Sequence, residues 1–296
     1  MLRYAAHLGY RKPDEPLVGP PGNPLASVAL AGRLGFDGMQ FAHAMVARPQ
    51  LRQAVALAMR EAGLTCGCMI YAPVQEAIKP YWTTTGATAR IGLMENVDSA
   101  VAVATQIGSK CIAILSGMAN GVPGLRQRAA CAENLRYAAD RAAAAGVTLG
   151  IEPISPRRLP NMLFQHLEDA VTVIAAVGNP SLGLIFDTAH VHDVDGAVPA
   201  NFAAVIDHVS VLQLADAPDR TEPGTGEIDF AALLQCAAAA GHSGLIELEH
   251  GWAAEPRPAQ LLAELRAQGC KIDERAPEPN QSSTDGSFPT PCARVY

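Results

Sequence analysis

The sequence has little that would suit a polyanion or a membrane. Its 296 residues hold 22 Lys+Arg against 29 Asp+Glu, a formal net charge of −7, and only four residues are lysine: Lys12, Lys79, Lys110 and Lys271. Because phosphate binding draws on clustered Lys and Arg, we expect no nucleic-acid partner. No run of about 18 apolar residues occurs, and the N-terminus lacks an uninterrupted apolar core. We therefore predict a soluble protein with no membrane partner.

The cysteines do not suggest a disulfide framework or a zinc clip. Seven cysteines are an odd number in a long chain, which is atypical of a disulfide scaffold. Cys66 and Cys68 form a Cys-x-Cys pair, but they alternate within an apolar run, and no second pair completes a zinc site. We interpret them as strand residues and expect a reducing, cytoplasmic location.

Short apolar runs alternate with longer segments of helical period about eight times. Candidate strands are 4–9, 37–41, 64–70, 110–115, 147–152, 182–187, 209–214 and 245–249. Candidate helices lie near 24–34, 49–62, 88–107, 125–145, 166–177, 199–207, 229–240 and 257–268. Most strands are continuous apolar runs, which is typical of a parallel sheet covered on both faces. Several helices stop at a glycine just before the next strand, at Gly35, Gly63, Gly108, Gly146 and Gly241.

Eight βα units predict an α/β fold, the (β/α)8 TIM barrel. An open doubly wound sheet is the weaker alternative, because no Gly-x-Gly-x-x-Gly follows an early strand to mark a switch point. The barrel is predicted as a single domain over 1–272. Residues 273–296 are rich in Pro, Ser, Asp and Glu without helical period, and predict an irregular, flexible tail. Long loops at 11–23 and 71–87 are interpreted as substrate walls or as surface decoration.

The active face of such a barrel lies where its strands end, and the last four predicted strands each end in an oxygen ligand. These residues are Glu152, Asp187, Gln213 and Glu249. Neighbouring strands lie about 4.8 Å apart, so the four side chains can meet around one ion. This oxygen-only set favours Mg²⁺ or Mn²⁺ over zinc. Asp187 could instead be only a helix N-cap. Glu247 points the same way as Glu249, and we choose Glu249 as nearer the strand end.

Further polar residues surround this set. His190, three residues after Asp187, is placed to bind a substrate oxygen. Arg220, in the loop after the seventh strand, could clamp a carboxylate with both ends of its guanidinium or could be a solvated loop residue. Arg157 and Arg158 follow the fifth strand and are weaker candidates for the same role.

Four segments carry a resemblance to a known family: IEPISPRR, GLIFDTAHVHD, VLQLADAPDRTEPGTGEID and GHSGLIELEH. Over about 145–252 the chain resembles the hydroxypyruvate isomerase family within the xylose-isomerase-like sugar isomerase and epimerase barrels. The resemblance implies a single metal held by Glu152, Asp187, Gln213 and Glu249. It implies further that the two glutamates form an acid/base pair, and that His190 and Arg220 bind substrate oxygens.

The sequence also departs from this family. Gln40 stands where the family often has an acidic residue at the end of the second strand, and Ser155-Pro156-Arg157-Arg158 replaces a commoner segment with an Asn and an Arg-Asp pair. These changes leave the implied metal set intact and bear on the substrate.

The expected activity is isomerisation of a small sugar or hydroxy-keto acid, with hydroxypyruvate to tartronate semialdehyde as the leading expectation. If both glutamates address one carbon, the same groups give a ketose 3-epimerase. A metal-dependent dehydratase and a DNA-repair endonuclease of the same barrel type are rivals, although the endonuclease needs more metal-binding histidines and a basic groove. A degenerate barrel that only binds a partner would hold no Mg²⁺ or Mn²⁺. Barrels of this kind commonly form homo-oligomers, without a stoichiometry fixed by the sequence.

Overall fold

The computed structural model describes residues 1–117 and 124–270, in which strands and helices alternate. The strands β1–β9 are Arg3–His7, Gly38–Gln40, Thr65–Cys66, Met69–Ile70, Cys111–Leu115, Thr148–Glu152, Leu182–Asp187, Val209–Leu214 and Leu245–Leu248. The helices α1–α10 are Pro24–Leu34, Pro49–Glu61, Val74–Ala77, Ala87–Ile107, Leu125–Ala144, Leu167–Val177, Thr188–Val194, Val198–Val205, Phe230–Ala239 and Pro258–Cys270. The tail predicted at 273–296 lies outside the described residues.

All strand pairs are parallel, in the order β3-β2-β1-β9-β8-β7-β6-β5-β4. The first and last members of this order, β3 and β4, are consecutive pieces of one segment, separated only by Gly67 and Cys68. The sheet therefore closes on itself through that segment. Each βα unit adds one strand to the cylinder, which confirms the predicted TIM barrel.

The third predicted strand, 64–70, is interrupted. The Gly67 N–H donates to the Met39 carbonyl at 2.9 Å, but the next N–H, of Cys68, donates to the Glu247 carboxylate at 2.5 Å. Gly67 permits this approach, because a Cβ there would overlap Glu247 Oε1 and come within 3.0 Å of Gln40 Cα. A side chain of β9 thus replaces a strand partner, which no local pattern could predict.

The core has two layers, as a barrel requires. Between strands and helices lie large buried side chains, such as Phe186 of β7 and Phe202 of α8, whose rings meet edge-to-face at 5.1 Å. Inside the cylinder a smaller cluster consists of Cys68, Cys111, Ala113, Ile185 and Val211. Because both sheet faces are buried, the strands read as continuous apolar runs, as the sequence indicated.

The five glycines predicted to end helices all have positive φ angles, as at Gly35 (85°) and Gly108 (79°). This left-handed conformation turns the chain from each helix into the next strand, and glycine adopts it without a Cβ clash. Within the described ranges, no helix combines the length and the apolar character needed to cross a bilayer.

Candidate active site

A cavity of about 370 Å³ opens where the strands end. Its walls include five of the predicted site residues: Glu152, His190, Gln213, Arg220 and Glu249. Asp187 is not among the lining residues. Parts of both long loops complete it, through Arg11 and Pro13 of the first and Pro73, Val74 and Gln75 of the second. The interpretation of these loops as substrate walls is consistent with this placement.

Asp187 ends β7 and starts α7. Its Oδ1 accepts the backbone N–H groups of Ala189 (3.0 Å) and His190 (3.1 Å), so it is the N-cap of that helix. Both oxygens also accept from Arg220, at 3.0 Å from Nη1 and 2.6 Å from Nη2. Burial alone would raise the pKa of Asp187, but the Arg220 charge and the bonds from Arg220 and His190 lower it to about 2. Asp187 is therefore a helix N-cap and is also paired with Arg220, which lines the cavity.

Glu249, just after β9, is held by three donors. Its Oε2 accepts from Arg220 Nη2 at 2.6 Å, and its Oε1 accepts from the amides of Gln40 (2.8 Å) and Gln213 (3.2 Å). Burial raises the pKa of Glu249, and the Arg220 charge opposes that shift. The side chain is thus fixed in one orientation at the cavity wall.

Glu152, at the end of β6, is in a different environment. Within the described part of the chain no protein group donates a hydrogen bond to its carboxylate, and His190 Nε2 lies 3.6 Å from its Oε1, too far for a good bond. Burial, together with the charges of Glu249 and Asp187, raises the pKa of Glu152 well above its usual value. Burial also lowers the pKa of His190 to about 4, against the opposing effect of Asp187. The His190 ring is therefore neutral near pH 7.

Three buried carboxylates, of Glu152, Asp187 and Glu249, lie near the buried guanidinium of Arg220. Of these three, Asp187 and Glu249 pair with it directly. Ligand atoms of Glu152, Asp187 and His190 all lie within 4.8 Å of one another, so these residues can hold a metal ion. Glu249 is outside this group.

Gln213 on β8 adds an unbonded oxygen. Its Nε2 donates to Glu247 at 3.0 Å and to Glu249 at 3.2 Å, whereas its buried Oε1 has no partner among the described residues. Hard divalent cations are bound by carboxylate and amide oxygens, and within the described chain the Gln213 oxygen lacks a hydrogen-bond donor that would compete for it. The predicted oxygen donors therefore fit such an ion chemically.

The loop that carries Arg220 is tied to Asp216, whose carboxylate accepts the N–H groups of Ala217, Gly224, Gly226 and Ile228. Arg220 itself has a φ of 57°, a conformation that non-glycine residues seldom adopt. Its guanidinium lies 5.1 Å from the centre of the Tyr10 ring. We expected a substrate clamp, and the structure shows a guanidinium that first joins two protein carboxylates.

Arg157 and Arg158, which follow β6, point to different places. Arg157 is not among the residues that line the cavity: its side chain is 66% exposed and pairs with Asp193 at 3.1 Å. Arg158 lines the cavity instead. The turn at 156–158 decides this, and the sequence did not tell which of the two points inward.

Gln40 and Tyr10 also line the cavity, and neither was among the predicted site residues. Gln40, noted only as a departure from the family, is buried and bonds to Glu249, and its Oε1 has no partner among the described atoms. Tyr10 belongs to the loop after β1 and stacks on Arg220. The polar residue at a strand end was a usable signal for Gln40, but Tyr10 had none.

Comparisons with known proteins agree with this geometry. A family model described as the xylose isomerase-like TIM barrel matches residues 28–268. A 2-oxo-tetronate isomerase of Cupriavidus necator is 32% identical over 158 residues, which are 52% of this chain and 60% of that relative. A Mus musculus protein named "Putative hydroxypyruvate isomerase" is 30% identical over 260 residues, 84% of this chain and 89% of the relative. These matches confirm the resemblance inferred from the sequence.

A solved structure titled AP endonuclease, family 2, from Brucella melitensis has a TM-score of 0.74 at 24% identity, and the match covers 90% of this chain and 99% of that one. At this identity the likeness speaks to the fold alone.

Proposed function

The chain belongs to the xylose isomerase-like TIM barrel family, and from that premise we propose that it is a metal-dependent isomerase. It moves a carbonyl group between adjacent carbons of a small hydroxy-keto acid, and hydroxypyruvate, which becomes tartronate semialdehyde, is the substrate we put first. The observation that carries this proposal is the pair of glutamates, Glu152 and Glu249, on the wall of one small cavity.

Such a reaction takes a proton from one carbon and returns it to the neighbouring carbon. The two glutamates sit in unlike environments, since Glu249 has three hydrogen-bond donors and Glu152 has none among the described residues. Groups whose environments differ in this way are suited to unlike steps of proton transfer. We assign the two steps to these two carboxyl groups and leave the order to experiment.

A divalent cation, Mg²⁺ or Mn²⁺, completes the proposed site. Glu152, Asp187, Gln213 and Glu249 would hold it, and the bare Gln213 Oε1 supports that choice. When bound, the ion supplies positive charge next to the oxygens that become negative as the proton leaves carbon. In this proposal His190, neutral at pH 7, and the remaining N–H groups of Arg220 hydrogen-bond substrate oxygens, and both residues line the cavity.

The cavity also supports a short, acidic substrate. About 370 Å³ is at the small end of ligand pockets. Arg11 and Arg158 lie on its wall and can meet a substrate carboxylate. The sequence offered this role first to Arg220, and to Arg157 and Arg158 as weaker candidates.

The six described cysteines are free thiols, which is typical of proteins in a reducing compartment, and we propose that the protein is cytoplasmic.

The test is proton NMR in deuterated buffer with Mg²⁺, run on hydroxypyruvate and on four-carbon 2-oxo acids that carry a hydroxyl group. We expect deuterium next to the carbonyl and formation of the isomer. Glu152→Gln and Glu249→Gln should each lower the rate by about 10²–10⁴-fold, the usual contribution of acid/base catalysis. The control is Glu227→Gln, a glutamate whose side chain is 67% exposed.

Other outcomes separate the rivals. Inversion at carbon 3 of a ketose without movement of the carbonyl would identify an epimerase, and loss of water would identify a dehydratase. No exchange with any substrate, together with no Mg²⁺ or Mn²⁺ binding by calorimetry, would refute the proposal in favour of a barrel that only binds a partner.

A further inference from the structure

Glu247, two residues before Glu249, is a buried carboxylate that lies in the barrel wall. It is 1% exposed and is not among the residues that line the cavity. Both of its oxygens are in use: Oε1 accepts the Cys68 N–H at 2.5 Å, and Oε2 accepts Gln213 Nε2 at 3.0 Å. Glu247 therefore faces its hydrogen-bond partners within the barrel wall, whereas Glu249, which the sequence analysis chose over it, lines the cavity.

The bond to Gln213 determines which end of that amide faces the cavity. A primary amide has two N–H donors and one oxygen acceptor. The two N–H groups of Gln213 point to Glu247 and Glu249, and its oxygen is left buried without a partner. Rotating the amide by half a turn would set its oxygen against two carboxylates.

We propose that Glu247 is a positioning residue that fixes the Gln213 amide so that its oxygen faces a divalent cation. The inference rests on the proposed function, because it concerns the same cation site. It adds a residue that touches neither substrate nor cation and acts through Gln213.

The side chain at position 247 must offer two hydrogen-bond acceptors. The Cys68 N–H and the Gln213 N–H are both donors, and an ionised carboxylate accepts from both. A glutamine at 247 has one oxygen, so its own N–H₂ must face one of these donors. The bond to the backbone at the interrupted strand favours keeping that oxygen on Cys68, which turns the N–H₂ toward Gln213. Two N–H₂ groups would then face each other, which favours rotation of the Gln213 amide so that its N–H, and not its oxygen, faces the cation.

The experiment is calorimetric titration of the full chain with Mn²⁺ alone, on the wild type, Glu247→Gln, Gln213→Met and the double variant, with Glu227→Gln as the control. Residues that orient metal ligands typically contribute 10–100-fold to affinity, so we expect Glu247→Gln to weaken Mn²⁺ binding by about that factor. In the Gln213→Met background the same change should have no further effect, because its route of action is gone. Equal affinity of Glu247→Gln and the wild type, or losses that multiply in the double variant, would overturn the inference.

Failure of this inference is distinguishable from failure of the proposed function. A wild type that binds no Mn²⁺ ends both, whereas a wild type that binds and a Glu247→Gln variant that binds equally well ends only this one. If Glu247→Gln does not fold, NMR of wild-type protein with isotope-labelled glutamine gives a second measurement. The Gln213 resonances are identified as those missing from the spectrum of Gln213→Met. Mg²⁺ should shift the Gln213 Cδ resonance, and its side-chain N–H protons should exchange slowly. An unshifted Cδ with fast-exchanging protons would refute the orientation.

Discussion

The buried ring of His7 should make the stability of this barrel fall in mild acid. His7 ends β1, is 3% exposed, and its Nε2 donates to the His250 carbonyl at 3.1 Å. Burial, only partly opposed by that bond, lowers the pKa of His7 from 6.5 to about 3. Folding therefore keeps the ring neutral in a pH range in which the unfolded chain binds a proton.

The magnitude follows from linkage. Because the folded pKa is depressed, the contribution of His7 to the free energy of unfolding is present above pH 6.5 and is lost as the pH falls toward 3. Between pH 7 and pH 5 the unfolded state gains most of one proton and the folded state gains almost none. The resulting loss is about 2 kcal/mol, since one pKa unit corresponds to about 1.4 kcal/mol.

The assay is urea unfolding at the two pH values for the wild type and His7→Gln, whose amide keeps a donor near the His250 carbonyl. Other groups titrate in this range, and burial raises the pKa of Glu247 to about 7, so the quantity compared is the difference between the two proteins. The variant should lose about 2 kcal/mol less than the wild type between pH 7 and pH 5. His208→Gln, at a half-exposed position, is the control. Equal losses in wild type and His7→Gln would refute the reasoning.

Three further outcomes are expected. In Asp216→Asn, the new N–H₂ group faces backbone N–H groups that the carboxylate accepts in the wild type, so the free energy of unfolding should fall by about 1–3 kcal/mol. The substrate KM should rise as the loop that carries Arg220 loosens, and an unchanged KM would contradict this. Phe202→Ala removes the buried edge-to-face partner of Phe186 and should cost about 3–5 kcal/mol in urea unfolding, with smaller losses showing that the site collapses. Cys66 is a buried thiol whose pKa burial raises to about 12, so Cys66→Ser should leave deuterium exchange intact, and a large drop would assign the thiol a role.

The sequence predicted the barrel because most strands are continuous apolar runs and several helices end at glycine, and both patterns are local. Glu152, Asp187, Gln213 and Glu249 could be picked out for the same reason, since a polar residue at the end of an apolar run is visible without a structure. Because a closed barrel brings the carboxyl ends of its strands to one face, these four side chains could also be predicted to lie near one another.

The remaining features depend on contacts between distant residues. The Cys68 N–H reaches Glu247, 179 positions away, and this contact interrupts a strand that reads as continuous. Arg220 could be placed on a loop but not between two particular carboxylates, because its partners lie 33 and 29 residues away. Arg157 and Arg158 differ only in which way a short loop turns them.

The unequal bonding of Glu152 and Glu249 bears on which molecules this barrel can accept. Glu249 is immobilised by three donors, so any ligand must fit the position that this side chain already holds. Glu152 accepts no hydrogen bond from the described residues, so hydrogen bonding fixes its position less than that of Glu249. Efforts to broaden or narrow substrate choice should therefore begin with Ile154 and Leu159, the apolar residues of the cavity wall just after Glu152.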